Sequence, residues 1–215
     1  MGKGWNLGGE PAPSHRGEGA VRRYGLSSIP SYISAVSTNI TTHSQRRPGT
    51  GEYPSSFAGY VARVGQDEDI LALLASQLHQ VITRLSPVPE TRGGYRYAPG
   101  KWSIKEIVGH LSDTERVFSY RALRIARGDA TPLPSFDDQA YVPEQRASDR
   151  TLADMVGEWG DVRRATVALF RSLPPHAWDR RGVASDQPVS VVALAYIIAG
   201  HLRHHLEVLE ERYLK

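Results

Sequence analysis

Four long stretches of this chain set apolar residues three and four positions apart, and no stretch sustains the alternation of a half-buried strand. That restricts the fold to packed helices. The first stretch carries Ile70, Leu71, Leu74, Leu78, Val81, Ile82 and Leu85. Asp67-Glu68-Asp69 stands at its start, where negative charge suits the helix dipole, and Pro87 and Pro89 stop it. The second opens on a capping box, Ser103 with Glu106, buries Ile104, Ile107, Leu111, Phe118, Ala122 and Ile125, and meets Gly128 just past its end. The third opens at Thr151 and runs through Leu152, Met155, Val156, Trp159, Val162, Leu169, Phe170 and Leu173 to Pro174-Pro175. The fourth, capped by Ser190, extends from Val191 to Tyr213. The proline-rich segment 129–149 and the segment 178–189 read as loops, the first long enough to suggest a functional role. An antiparallel all-α four-helix bundle over residues 51–215 is the economical solution.

Residues 1–50 have a different composition. Gly, Pro, Ser, Thr and Arg dominate, and Leu26 to Ile40 is broken by Pro30, so a disordered N-terminal extension is expected. This extension also holds the chain's positive surplus: Lys3, Arg16, Arg22, Arg23, Arg46 and Arg47 against Glu10 and Glu18 give +4, which leaves −1 for residues 51–215 out of a total of +3. A nucleic-acid reader carries its basic face on the folded part, so nucleic acid is not expected as a partner. No apolar run approaches the ~20 residues that cross a bilayer, and the start lacks the apolar core of a secretory signal. No membrane partner and a cytoplasmic location are the corresponding expectations. The chain has no Cys, so any protein metal ligand is His, Asp or Glu and any sulfur nucleophile comes from a small molecule.

The fourth helix interrupts its own apolar stripe. Leu194, Ile197, Ile198, His201, His205 and Val208 share a face, and His201 and His205 stand one turn (~5.4 Å) apart on it. Imidazoles on a core-facing stripe are costly unless they find partners, and a metal ion accepts two neutral imidazoles at once. His204, three residues after His201, is also near on the helix surface, and periodicity alone does not separate it from His205. His110 lies at the edge of the second helix's apolar face, where a bundle could bring it to the fourth helix. Three imidazoles around one divalent ion, whether zinc, nickel or iron, leave a coordination position open for water or substrate.

The run Tyr97-Ala-Pro-Gly-Lys-Trp-Ser-Ile-Lys-Glu-Ile-Val-Gly-His110-Leu-Ser-Asp-Thr-Glu-Arg-Val-Phe resembles the second-helix motif of the DinB/YfiT-like superfamily. The later Ala-Tyr-Ile-Ile-Ala-Gly-His201-Leu-Arg-His-His205-Leu resembles its fourth-helix H-x-x-x-H motif. The resemblance spans residues 52 to 215. It implies a four-helix bundle of up-down-down-up order and a single divalent ion held by His110, His201 and His205. His204 is left at the solvent edge or behind the ligands. It further implies a homodimer and one of two chemistries, transfer to a low-molecular-weight thiol or metal-dependent hydrolysis of a small-molecule substrate.

Other polar residues near the motif are candidates for supporting roles. Asp113 and Thr114, one turn beyond His110, are the candidate catalytic residues, able to hold a water or orient a ligand imidazole. Glu115 is expected on the helix surface, and Arg121 and Arg124 either receive an anionic substrate or pair with surface carboxylates. Asp137 and Asp138 are candidates for the mouth of the site. The competing reading is a non-catalytic interaction module whose metal only braces two helices.

Overall fold

The computed structural model describes residues 46–215; the expected disorder of the extension falls, up to residue 45, outside them. Among the described residues seven α-helices form in order: α1 (Ala58–Ala62), α2 (Ile70–Leu85), α3 (Ile104–Ala126), α4 (Asp138–Glu144), α5 (Leu152–Arg171), α6 (Pro175–Trp178) and α7 (Val191–Arg212). The long ones start where the sequence supplies caps. Asp69 accepts from Leu71 and Ala72, Ser103 and Glu106 complete their reciprocal box, Thr151 accepts from Asp154, and Ser190 accepts from Ala193. Helix α3 closes through Gly128, whose φ of 80° suits a residue without Cβ.

Helices α2, α3, α5 and α7 form the bundle, and their cross-contacts fix its order. Gln77 meets Ala199 and Arg84 meets Glu210, so α2 and α7 run in the same direction. Gly109 faces Met155, Glu115 meets Arg163, and Leu123 lies beside Leu169, so α3 and α5 are also parallel. Trp102 meets Tyr213 while His110 meets His205, which makes α3 and α7 antiparallel. Helix α5 packs on both α2 and α3, and α7 likewise. This is an up-down-down-up four-helix bundle.

The order explains the length of the 127–151 segment. Parallel neighbours cannot be joined by a tight turn, so the chain leaving α3 must return along the helix, about 34 Å for its 23 residues. The return segment is not a plain loop. It contains α4, capped by Asp137, and a 3-10 turn at Ala147–Asp149. The segment 178–189 also departs from expectation. It forms a β-hairpin, β1 (Arg181–Ala184) with β2 (Gln187–Ser190), whose tip residues Ser185 and Asp186 adopt φ of 52° and 59°. Positive φ at both central residues marks a type I′ turn, here without glycine, and the flanking strands are too short to show a period of two. Leu133 stitches the return segment to the hairpin through bonds to Val183 O and from Ser185 N, each 2.9 Å.

The apolar core has two parts. One surrounds the first half of α7, where every residue from Val191 to Leu202 is buried; the other joins Trp159 of α5 to Ile107 and Leu111 of α3 and Leu206 and Leu209 of α7. A polar group crosses the middle of the bundle. Arg163, 1% exposed, makes two 2.8 Å bonds to Glu115 and donates to Gln77 Oε1 at 2.6 Å. Gln77 in turn donates to the Ala199 carbonyl at 2.8 Å. All four bundle helices meet in this network, and Glu115, expected on the surface, is buried. Its helical position, five residues after His110, turns it toward α5 instead of solvent.

Candidate metal centre

Two glycines prepare the site, each immediately before a histidine. A Cβ on Gly200 would overlap the Tyr60 carbonyl, so only glycine lets α1 lie across α7 beside His201. A Cβ on Gly109 would overlap the Gln145 side chain, so glycine also lets the return segment close on α3 beside His110. Arg47 holds α1 from the other side, donating to the carbonyls of Val61, Val64 and Gly65 and stacking over Tyr196.

His110, His201 and His205 converge between α3 and α7, with ligand atoms all within 4.8 Å of one another. His201 Nε2 lies 3.0 Å from both His110 Nε2 and His205 Nε2. Each neutral imidazole offers one N–H and one lone pair, and a single ring nitrogen can serve only one of two such partners. Hydrogen bonding therefore leaves one of these contacts unsatisfied. A cation resolves it, because nitrogens about 2.0–2.1 Å from one ion stand about 2.8–3.4 Å apart as the angle between them opens from a right angle to tetrahedral. The donor set fits a divalent ion on that ground.

Electrostatics favour the same occupant. Burial pushes His110 down to about 4, against the opposing charge of Asp138. Burial, reinforced by the neighbouring imidazoles, holds His201 and His205 well below the usual histidine range. All three are neutral at neutral pH, with lone pairs free for a metal. Thr114 Oγ1 lies 3.4 Å from His110 Nδ1, and Asp138 approaches the same nitrogen at 3.9 Å. Protonation of Nδ1 toward Thr114, with the Asp138 carboxylate nearby, leaves Nε2 facing the centre.

The cluster forms one wall of a cavity of about 420 Å³. Trp102, 4.7 Å from the His110 ring, and Tyr60, 5.2 Å from the His201 ring, flank it. Tyr213 fixes the first of these by donating to the Trp102 carbonyl at 2.7 Å. The return segment contributes Phe136, Asp138 and Gln139, and the hairpin tip contributes Ser185.

Of the two candidate catalytic residues, Thr114 faces this cavity and Asp113 does not. Asp113 accepts from Gln145 at 3.0 Å and lines a separate space of about 380 Å³ between α3 and the return segment. At 100° per residue, Thr114 lies about 40° from His110 around the helix and Asp113 about 60° to the other side, which turns it out of the site. His204 lines the cavity outside the three-imidazole cluster, its ring 5.7 Å from Tyr60. Arg124 pairs with Asp129, whereas Arg121 is buried in the cavity wall. Asp137 caps α4 and Asp138 reaches the site. Trp102 stood within the second-helix motif without a role assigned to it, and Tyr60, Phe136 and Ser185 carried no assignable sequence signal. Those three sit in short or irregular segments where no periodicity indicates a face.

Fold and site together define a class: an up-down-down-up helical bundle in which two antiparallel helices, α3 and α7, present three imidazoles suited to one divalent ion. Residues 73–209 match the family model of the DinB superfamily, and the chain belongs to that superfamily. Among solved structures it is similar to YfiT from Bacillus subtilis, described as a probable metal-dependent hydrolase with an unusual four-helix bundle topology. That match has a TM-score of 0.55 at 14% identity and covers 77% of this chain and 90% of the other. No curated protein matches the chain. Among the described residues, no helix is long and apolar enough to cross a membrane.

Proposed function

We propose that this chain is a divalent-metal-dependent enzyme that activates a small-molecule thiol for S-transfer or a water for hydrolysis. The observation that carries the reading is the convergence of three neutral imidazoles on one wall of a cavity large enough for a small molecule. His110, His201 and His205 would hold one ion of zinc, nickel or iron. Such an ion supplies a Lewis acid that acidifies a thiol or water presented to it. Thr114 orients the His110 ring through Nδ1. Asp138, the one carboxylate among the described residues lining the cavity, is the acceptor for the released proton. Trp102, Tyr60 and Phe118 exclude bulk water around the reacting groups. The absence of Cys means that a transferred sulfur belongs to a cosubstrate.

Membership of the DinB superfamily and the description of YfiT support metal-dependent chemistry. A cytoplasmic, homodimeric enzyme acting on a small molecule, without nucleic-acid or membrane partners, completes the proposal. The bracing alternative is weakened by the Arg163–Glu115–Gln77 network, which already ties the helices together without an ion. The test compares EDTA-treated protein with protein reloaded with zinc, nickel or iron. Thiol consumption is followed with an electrophile, and ester cleavage without thiol. Metal-dependent turnover of either kind that disappears in His201→Ala supports the reading. Absence of both activities, with an unfolding transition that collapses on chelation, overturns it in favour of bracing.

A further inference from the structure

We propose that the substrate carries a carboxylate and that Arg121 binds it. This deepens the proposed reading of the cavity as a substrate site. Two arginines are buried in the bundle, and the contrast between them is informative. Arg163 is matched by both oxygens of Glu115. Arg121, 4% exposed, makes no ion pair among the described residues. Its Nη2 donates to the Pro134 carbonyl at 2.7 Å and to Ser185 Oγ at 2.9 Å, and its Nε and Nη1 have no protein partner there. The single carboxylate lining the same cavity, Asp138, stands beside His110 instead. A buried guanidinium without a counter-charge is expensive, and an anionic ligand removes that cost.

The position is as informative as the charge. Arg121 is eleven residues after His110, three turns along α3 and only about 20° around it. Both side chains therefore face one cavity, with Thr114 and Phe118 between them. The Phe118 ring spans the gap, 6.4 Å from the His201 ring and 5.8 Å from the Arg121 guanidinium carbon. Phe136 covers the guanidinium from the return segment at 5.4 Å. A ligand matching these features has a carboxylate at one end, a short apolar body against Phe118, and its reacting group toward the imidazoles. The hairpin tip takes part directly. Ser185 holds a left-handed conformation, φ 52°, that serine adopts at some cost, and its hydroxyl accepts from Arg121.

The experiment uses benzoate as the probe and benzamide as its uncharged counterpart, titrated calorimetrically into EDTA-treated full-length protein. Removing metal ensures that no ion captures the carboxylate. Benzoate is expected to bind at least roughly tenfold more tightly than benzamide, as a charge-assisted hydrogen bond provides. Arg121→Gln should abolish that preference, and Arg121→Lys should retain part of it. Equal binding of the two probes to the wild-type protein overturns the proposal without recourse to a variant that must fold. So does an unchanged benzoate preference in Arg121→Gln. Benzoate selectivity in a protein with no thiol or ester turnover refutes the enzymatic reading alone; turnover without selectivity refutes only the carboxylate assignment.

Discussion

Replacing Glu115 by Ala tests the polar network that sets the bundle's alignment. Glu115 is 4% exposed and gives both carboxylate oxygens to Arg163, itself 1% exposed. Removing the carboxylate leaves a guanidinium buried with only the Gln77 and Leu74 acceptors. Deleting one partner of a buried pair costs about 3–5 kcal/mol, a large share of the roughly 5–15 kcal/mol that a domain has. For a domain of this size, that lowers the melting temperature by about 6–20 °C. The assay is urea denaturation followed by circular dichroism in EDTA, so that no metal contributes. A companion variant, Glu115→Leu with Arg163→Met, replaces both charges by apolar groups and should lose less than Glu115→Ala alone. If Glu115→Ala costs under about 1 kcal/mol, or the double variant is the less stable, the network does not hold the helices as argued.

Three further outcomes follow from the geometry. His201→Ala and His205→Ala should each abolish stoichiometric metal binding while His204→Ala largely retains it, read by elemental analysis of the purified variants; loss confined to His204→Ala would invert the ligand assignment. Gly200→Ala should destabilise the protein by roughly 1–3 kcal/mol through overlap with the Tyr60 carbonyl, and an unchanged denaturation midpoint would mean that α1 shifts freely. The Arg46 guanidinium, helped by the Gly49 N–H, holds the Glu52 carboxyl down to about 2 against the opposing effect of burial. A depressed carboxylate stabilises the fold above its unfolded pKa of about 4.5 and loses that contribution as pH falls toward 2. With Arg46 more than a third exposed, roughly 1–2 kcal/mol should disappear over that window; an equally steep acid loss in Glu52→Gln would exclude this pair as the source.

The helices and their caps were legible because each lies in one continuous stretch of sequence, and periodicity reports which face is apolar. Histidine on the apolar stripe of the fourth helix marked His201 and its neighbours as needing a partner, whereas the choice of His205 over His204 and the inclusion of His110 came from the family resemblance; the three rings do converge. The hairpin and α4 were not, since four-residue strands and a seven-residue helix containing Pro143 are shorter than the window in which a period can be read. Glu115 and Asp113 show the complementary limit. Both are acids on the same helix, and only the angular position of the neighbours decides that the first is buried against α5 and the second turned toward Gln145. Arg121 shared the stripe of His110, Thr114 and Phe118, yet its lack of a counter-charge depends on residues from three separate segments.

The parallel run of α3 and α5 has a consequence for how such a protein diversifies. Spanning about 34 Å takes on the order of ten extended residues, and the chain spends residues 127–151 on it. Leu133 and Ala147 anchor the excess in the core, and the residues between them supply Phe136 and Asp138 to the cavity. Exchanging residues between these two anchors would reshape one wall of the cavity, while the three histidines remain on α3 and α7.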